Sequence, residues 1–261
     1  MISLIQLLKE AQGSPKAIIL AGAPGAGKGY VLKGLDLDGL KIMNIDNIFI
    51  NKLKAANVTL DLKNATPEER SEQAKQMAAA NKEFKGDLQD TIEGKQSFIL
   101  DGTAASSKQT SELKKQLEEA GYDVFMLYIY TDLERSLSQN QDRYEKSSGE
   151  DRSLPPAIVM RTWMSVTQNY EPYSNMFGNN FALVSNTLED KMDNVEDIIK
   201  KYIDPFKPQG TKEKTPAQQI KSDQQYAEMK SDINKLLQSD FSKDSLSKEE
   251  AQSKISQFLN S

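Results

Sequence analysis

Five short apolar runs are spaced along the first three quarters of the chain, and longer polar or amphipathic segments separate them. Strands that alternate with helical patterns are typical of a parallel sheet with right-handed crossovers, so the spacing predicts an α/β fold. Ligands of such sheets bind at the carboxyl ends of the strands, which makes the residues after each run the first place to look for chemistry. The predicted strands are 17–21, 41–45, 98–100, 124–130 and 181–184.

The segment between the second and third runs is longer than a simple connection. Thr66 as N-cap, Pro67 at the first helical position and Glu69 completing a capping box predict a helix that ends near Ile92. We expect contacts to a second substrate from residues 47–92, although nothing there specifies which substrate it is.

The two ends of the chain differ in character from the middle. The first residues predict a short amphipathic helix that docks on the domain surface, and the Pro- and Gly-containing stretch after position 203 predicts a linker. Two polar helices, over 216–239 and 247–260, should follow, with too few apolar positions to bury much alone. We expect a helical hairpin that packs on the domain or on a protein partner. The predicted divisions are 1–14, a main domain 15–203, a linker 204–215 and a C-terminal helical extension 216–261.

Composition narrows the chemistry. The chain has no cysteine and no histidine, which excludes disulfides, thiolate catalysis, imidazole bases and His-ligated zinc. Proton transfer then falls to Asp, Glu, Lys or Tyr, and a metal would be a hard, oxygen-ligated ion such as Mg²⁺. A net charge of −5 gives no indication of nucleic-acid binding, and no apolar run is long enough to span a bilayer. We expect a cytoplasmic protein.

The most specific motif follows the first predicted strand directly. Its glycines let successive backbone N–H groups point inward around phosphates, and Lys28 would reach the β- and γ-phosphates of a nucleotide, most simply ATP. The Ser or Thr that usually follows the lysine and binds Mg²⁺ is replaced by Gly29, so we expect carboxylates and water to hold the metal. The nucleotide-binding residues of this P-loop (Walker A) motif are Gly22, Ala23, Pro24, Gly25, Ala26, Gly27, Lys28, Gly29 and Tyr30.

Aspartates follow the second and third predicted strands. Asp46 would lie beside the γ-phosphate, where it could take a proton from a substrate hydroxyl or help to hold Mg²⁺; the alternative is a helix cap. Asp101 ends an apolar run as a Walker B aspartate does and could hold the shell of the same Mg²⁺, unless it marks a plain turn. Both are therefore candidate metal ligands.

Arginines cluster after the fourth strand, in a capped helix and the polar loop behind it. Arg143 and Arg152 could close over the transferring phosphoryl group from a mobile lid, because phosphoryl transfer concentrates negative charge. Surface salt bridges are the alternative explanation for such a cluster.

Taken together, these motifs resemble the zeta-toxin-like group of P-loop kinases, which is related to polynucleotide kinases, over residues 15–203. The resemblance implies a P-loop NTPase fold in which Lys28 binds ATP phosphates, Asp46 is the base, and Arg143 and Arg152 contact phosphate. Gly29 departs from the family pattern, as does Gln139, which stands where many relatives carry a lid arginine. The opening residues also resemble the capsid-targeting peptides of large tailed phages, which would imply a host-cytoplasmic or virion protein.

Three functional hypotheses follow. The first is an ATP- and Mg²⁺-dependent kinase that phosphorylates a hydroxyl of a small-molecule or nucleotide-like acceptor. The second is a non-catalytic nucleotide-binding or phage assembly protein with a degenerate kinase fold, which the missing hydroxyl at Gly29 and the C-terminal helices favour. The third, a nucleoside-monophosphate kinase, rests on the Gly-Lys-Gly string alone.

Overall fold

A computed structural model describes residues 13–33, 40–147, 151–190, 192, 194–202, 204, 216–241 and 243–261. Its centre is a five-stranded sheet in which every neighbouring pair of strands is parallel, in the order β2-β3-β1-β4-β5. The predicted α/β fold with a parallel five-stranded sheet is thereby confirmed. The strands are β1 (Lys16–Ala21), β2 (Lys41–Met43), β3 (Phe98–Leu100), β4 (Asp123–Tyr130) and β5 (Phe181–Ser185).

Helices connect the strands and cover both faces of the sheet. The predicted capping box is present at the start of the longest helix, where Thr66 accepts from the Glu69 N–H and the Glu69 carboxylate accepts from the Thr66 N–H. The helices are α1 (Lys28–Leu32), α2 (Ile45–Ala55), α3 (Pro67–Glu93), α4 (Ser107–Glu119), α5 (Leu133–Lys146), α6 (Pro156–Gln168), α7 (Tyr170–Phe177), α8 (Val195–Tyr202), α9 (Pro216–Leu237) and α10 (Lys248–Leu259).

The strands divide their side chains between two cores, because alternate residues of a strand point to opposite faces. Ile19 and Met126 pack on one face with Leu117 of α4 and Tyr173 of α7. Ile18, Leu20, Phe125 and Leu127 pack on the other, where α1 contributes Val31 and α10 contributes Ala251, Ile255 and Phe258.

The C-terminal helices belong to the packed domain rather than forming a hairpin of their own. Ile233 and Leu237 of α9 are buried in a cluster with α6 and α8, whereas α10 covers the second face of the sheet. Just before α10, the Leu246 N–H donates to the Leu183 carbonyl at 2.8 Å, which adds one parallel bridge beside β5. Both helices lie close to their predicted positions and pack on the main domain, which is one of the two expected arrangements.

Some boundaries differ from the prediction. The second strand ends at Met43 rather than at position 45, because Asn44 caps α2 and brings residue 45 into the helix. Most of the N-terminal segment 1–14 and of the linker 204–215 lies outside the described residues, as does the end of the helix predicted after the P-loop. Within the described part, no helix combines the length and hydropathy that crossing a membrane requires.

Candidate active site

The P-loop adopts its curled path through glycines whose positions tolerate no side chain. Gly25 and Gly27 have φ angles of 75° and 83°, in the left-handed region that favours glycine. A Cβ at Gly22 would lie 2.9 Å from the Ile129 carbonyl oxygen, and one at Gly27 would lie 2.4 Å from the Asn186 amide nitrogen. The glycine spacing is therefore required by the local backbone, as the sequence predicted.

Side chains from α5 and from the residue after β5 donate hydrogen bonds to backbone carbonyls of this loop. Ser136 of α5 donates to the Pro24 carbonyl at 2.6 Å, and Asn186, just after β5, donates to the Ala26 carbonyl at 2.8 Å. With its amide oriented to suit its neighbours, Gln139 donates to the Gly25 carbonyl at 3.0 Å and accepts from Arg135 at 3.1 Å. Gln139 thus supports the P-loop from α5.

Lys28 is the first residue of α1 and is deeply placed. Its ammonium donates to the carbonyls of Gly22 at 2.9 Å and Ala23 at 3.2 Å, which folds the side chain back over the loop. Burial lowers the pKa of Lys28 below its ordinary value, while the nearby carboxylates of Asp101 and Asp46 act in the opposite direction. The lysine is thereby held at the head of the phosphate loop with two carboxylates nearby.

Asp46 and Asp101 lie at the same edge of the sheet, after β2 and β3. Asn44 links the two positions: its side-chain oxygen accepts from the Asp46 N–H at 2.8 Å, and its amide donates to the Asp101 carboxylate at 2.7 Å. Asp46 stands in the first turn of α2 and is not the cap, because Asn44 has that role. The alternative reading of Asp46 as the helix cap is therefore wrong, and its carboxylate faces the cleft.

Arg152 reaches across the cleft and forms an ion pair with Asp46. Its side chain is only 14% exposed, which makes this pair more protected than an ordinary surface salt bridge. The neighbouring Ser153 fixes the backbone here, since its N–H donates to the Leu60 carbonyl at 3.1 Å and its hydroxyl donates to Asp61 at 2.6 Å. The arginine is therefore presented by a loop that is anchored on the opposite wall.

Arg143 is held differently. It lies in the last turn of α5, pairs with Asp151, and keeps a side chain that is more than half exposed. Arg143 and Arg152 both make salt bridges, as one of the two explanations for the arginine cluster expects, and both line the cleft; their contact with a transferring phosphoryl group stays a prediction. The cleft has a volume of about 660 Å³, and the P-loop, Asn44, Asp46, Asp101, Gln139, Arg143, Lys146 and Arg152 contribute to its walls.

The carboxylates at this edge suit a Mg²⁺ ion that is also bound by nucleotide phosphates, rather than one bound by protein side chains alone. No group of three or more acidic side chains that could hold a metal occurs among the residues the structure describes. Mg²⁺ is commonly bound by one or two carboxylates, by water and by substrate phosphates, and Asp46 and Asp101 offer such carboxylates. Beside them, a Cβ at Gly29 would meet nothing within 4 Å, so space remains where the usual hydroxyl would stand.

Several supporting residues escaped the sequence analysis. Asn44 carries a readable signal, because a polar residue between a strand and a helix start is a typical cap. Ser136 and Asn186 carry none, since only the folded chain brings α5 and the end of β5 against the P-loop. The contact between Asp61 and Ser153, 92 residues apart in the chain, is invisible to spacing rules for the same reason.

The parallel sheet order, the phosphate loop and the acidic edge define a P-loop protein of the kinase type. The zeta toxin family model matches residues 4–201, and the chain belongs to that family. Membership supports a phosphotransferase of the P-loop kinase type and agrees with the resemblance seen in the sequence. The hypothesis of a phage capsid-targeting peptide falls on residues outside the described part and receives no support from this match.

Three solved structures are similar to the chain at low sequence identity. The complex of AvrRxo1-ORF1 and AvrRxo1-ORF2 with sulphate ions has a TM-score of 0.50 and 16% identity, and the match covers 88% of this chain and 78% of that chain. A structure of that complex with ATP has a TM-score of 0.48, 17% identity and the same coverages. A structure from the PezAT toxin–antitoxin system of Streptococcus pneumoniae has a TM-score of 0.49 and 17% identity and covers 90% and 93%. No curated protein matches the sequence.

Proposed function

We propose that this protein is an ATP- and Mg²⁺-dependent kinase that transfers the γ-phosphoryl group to a hydroxyl of a small-molecule or nucleotide-like acceptor. The observation that carries the proposal is the convergence of Lys28, Asp46, Asp101 and Arg152 on one cleft. A phosphate-binding cation, a base, a metal-shell carboxylate and a cation for the transferring group are the parts that phosphoryl transfer needs.

Asp46 is the base in this proposal. Its carboxylate takes the proton of the acceptor hydroxyl as the hydroxyl oxygen bonds to the γ-phosphorus, and the bond from that phosphorus to the β–γ bridging oxygen breaks to release ADP. Lys28 binds the β- and γ-phosphates throughout. Arg152 and Arg143 stabilise the negative charge that spreads over the transferring group.

The ion pair between Arg152 and Asp46 affects the order in which the nucleotide and the acceptor engage the site. While Arg152 is paired with the Asp46 carboxylate, an acceptor hydroxyl must compete with the guanidinium for contact with that carboxylate. A γ-phosphate beside Lys28 offers Arg152 a more highly charged partner. In this mechanism, nucleotide binding therefore frees Asp46 for the acceptor.

Asp101 is the residue that would hold Mg²⁺ in this proposal, because the role of base leaves the Asp46 carboxylate to the acceptor. The bound ion would neutralise phosphate charge and orient the γ-phosphate. Asn44 keeps one oxygen of Asp101 in a hydrogen bond at 2.7 Å, which orients the carboxylate.

The decisive experiment replaces the phosphate-binding cation. Lys28→Ala should lower the rate of phosphate transfer from ATP by about 10²–10³-fold, because one preorganised charge at the transferring group is lost. Lys33→Ala, at the exposed end of the same short helix, is the matched control. Turnover that is unchanged in Lys28→Ala, with the control equally active, would refute the proposal.

A non-catalytic nucleotide-binding protein is the second candidate, and Gly29 is the observation that favours it. Calorimetric titration with ATP and Mg²⁺, followed by phosphate-transfer assays over nucleosides, sugar nucleotides and oligonucleotides, separates the two. Binding without turnover across that panel would establish the second candidate.

A further inference from the structure

Tyr30 is the most exposed large hydrophobic side chain among the described residues, at 64%. It lies in the first turn of α1, two positions after Lys28, and makes no contribution to the four core clusters. The ammonium of Lys248, the first residue of α10, lies 4.1 Å from the centroid of its ring. A tyrosine this exposed is stabilised little by packing, and most of its ring remains accessible to a ligand.

The geometry of the cleft fixes the direction in which a nucleotide would extend from the P-loop. Asp46 and Asp101 follow β2 and β3, which lie on one side of β1 in the sheet. A γ-phosphate must face these carboxylates, so the nucleoside must leave the P-loop on the opposite side, toward β4 and β5.

The C-terminal segment supplies the surface on that side. After β5, Asn186 contacts the P-loop at the Ala26 carbonyl, and the bridge of Leu246 to Val184 brings the start of α10 alongside β5. Farther along α10, the Gln252 amide donates to the Lys33 carbonyl at 3.4 Å, which ties the helix to the end of α1. Lys248 is therefore placed beside Tyr30 by contacts at two points.

We propose that Tyr30 and Lys248 form the nucleoside-binding surface of this protein, with a base stacked on the face of Tyr30 that Lys248 does not cover. The proposal rests on the proposed nucleotide-dependent function. Stacking suits a base because every base has a π-face, and a lysine next to it can approach the ribose and the α-phosphate as a flexible cation. The C-terminal extension, which lies beyond the family match to residues 4–201, thereby becomes part of the nucleotide site.

The test compares a nucleotide with its phosphates alone. Affinities for ATP and for inorganic triphosphate, each with Mg²⁺, are measured by calorimetry on the full chain. Tyr30→Ala should weaken ATP binding about tenfold and leave triphosphate binding unchanged, since only the stacked base is lost. Tyr30→Phe keeps the ring and should keep the affinity, and Lys248→Ala should weaken ATP binding by a smaller factor of about three.

Tyr226 offers a matched control. It is also exposed, at 41%, and also has a lysine, Lys230, at 5.4 Å from its ring centroid, but it lies on α9. Tyr226→Ala should therefore change neither affinity, and circular dichroism melting confirms that each variant is folded. Equal ATP affinity in the wild type and Tyr30→Ala, or equal losses for ATP and triphosphate, would overturn the nucleoside surface alone. A wild-type chain that binds neither compound would overturn the proposed function together with it.

Discussion

The two sides of the P-loop are built in opposite ways. Toward β2 and β3 the wall is charged, and its groups are already engaged with one another, as in the pairs of Arg152 with Asp46 and of Asn44 with Asp101. On the other side, outside the residues that line the cleft, α1 carries the exposed ring of Tyr30, and the ammonium of Lys248 on α10 lies 4.1 Å from its centroid. The first side is therefore held together by ion pairs and hydrogen bonds between its own groups, whereas packing of the C-terminal helix on the sheet positions the lysine of the second.

The largest expected effect lies on the charged side. Asp46→Asn should lower the rate of phosphate transfer about 10³-fold, because an amide cannot accept the acceptor proton. ATP affinity should stay within about threefold of the wild type, since Lys28 and the loop amides remain. Steady-state kinetics with calorimetry measures both quantities.

Asp87→Asn is the control for that variant, because Asp87 also forms an ion pair, with Lys41, but is not part of the cleft wall. It should leave turnover unchanged. If Asp46→Asn retained more than about a tenth of wild-type turnover, Asp46 would not be the base, and the charged side would serve nucleotide binding only.

The second expected effect is a loss of stability when the packing of α10 on the sheet is weakened. Ile255 of α10 is fully buried against the sheet, so Ile255→Ala should lower the free energy of unfolding by about 3 kcal/mol. Ser256→Ala, at the exposed neighbouring position, should change it by less than about 0.5 kcal/mol. Urea denaturation measures both values. A small loss in Ile255→Ala would mean that α10 does not depend on the core, and the contrast between the two sides would disappear.

The sequence could predict those features of this arrangement that depend on residues close together in the chain. The P-loop, the strands and the capping box at Thr66 depend on residues a few positions apart, so their patterns are readable. Asp46 and Asp101 were also accessible, because parallel strands bring their carboxyl ends to one edge. The burial of α10 was not, since its apolar residues are sparse and only the folded chain shows that they pack beside α1 on one face of the sheet. The Asp61–Ser153 contact that anchors the Arg152 loop is equally nonlocal.

The smallest expected effect is an increase in the apparent affinity for Mg²⁺. It tests whether the charged side lacks a metal ligand or uses other ligands in place of the usual hydroxyl. A Cβ at Gly29 meets nothing within 4 Å and no strained φ is required, so Gly29→Ser should fold and place a hydroxyl at the head of α1. We expect the Mg²⁺ concentration that half-saturates ATP binding to fall about fivefold, the size of one added interaction of about 1 kcal/mol. Gly29→Ala adds the same Cβ without the hydroxyl and raises helix propensity at least as much as serine does, so it separates metal binding from stabilisation of the helix. Equal Mg²⁺ dependence in the serine and alanine variants would mean that Asp101 and water already satisfy the metal, and that the glycine is no defect of this site.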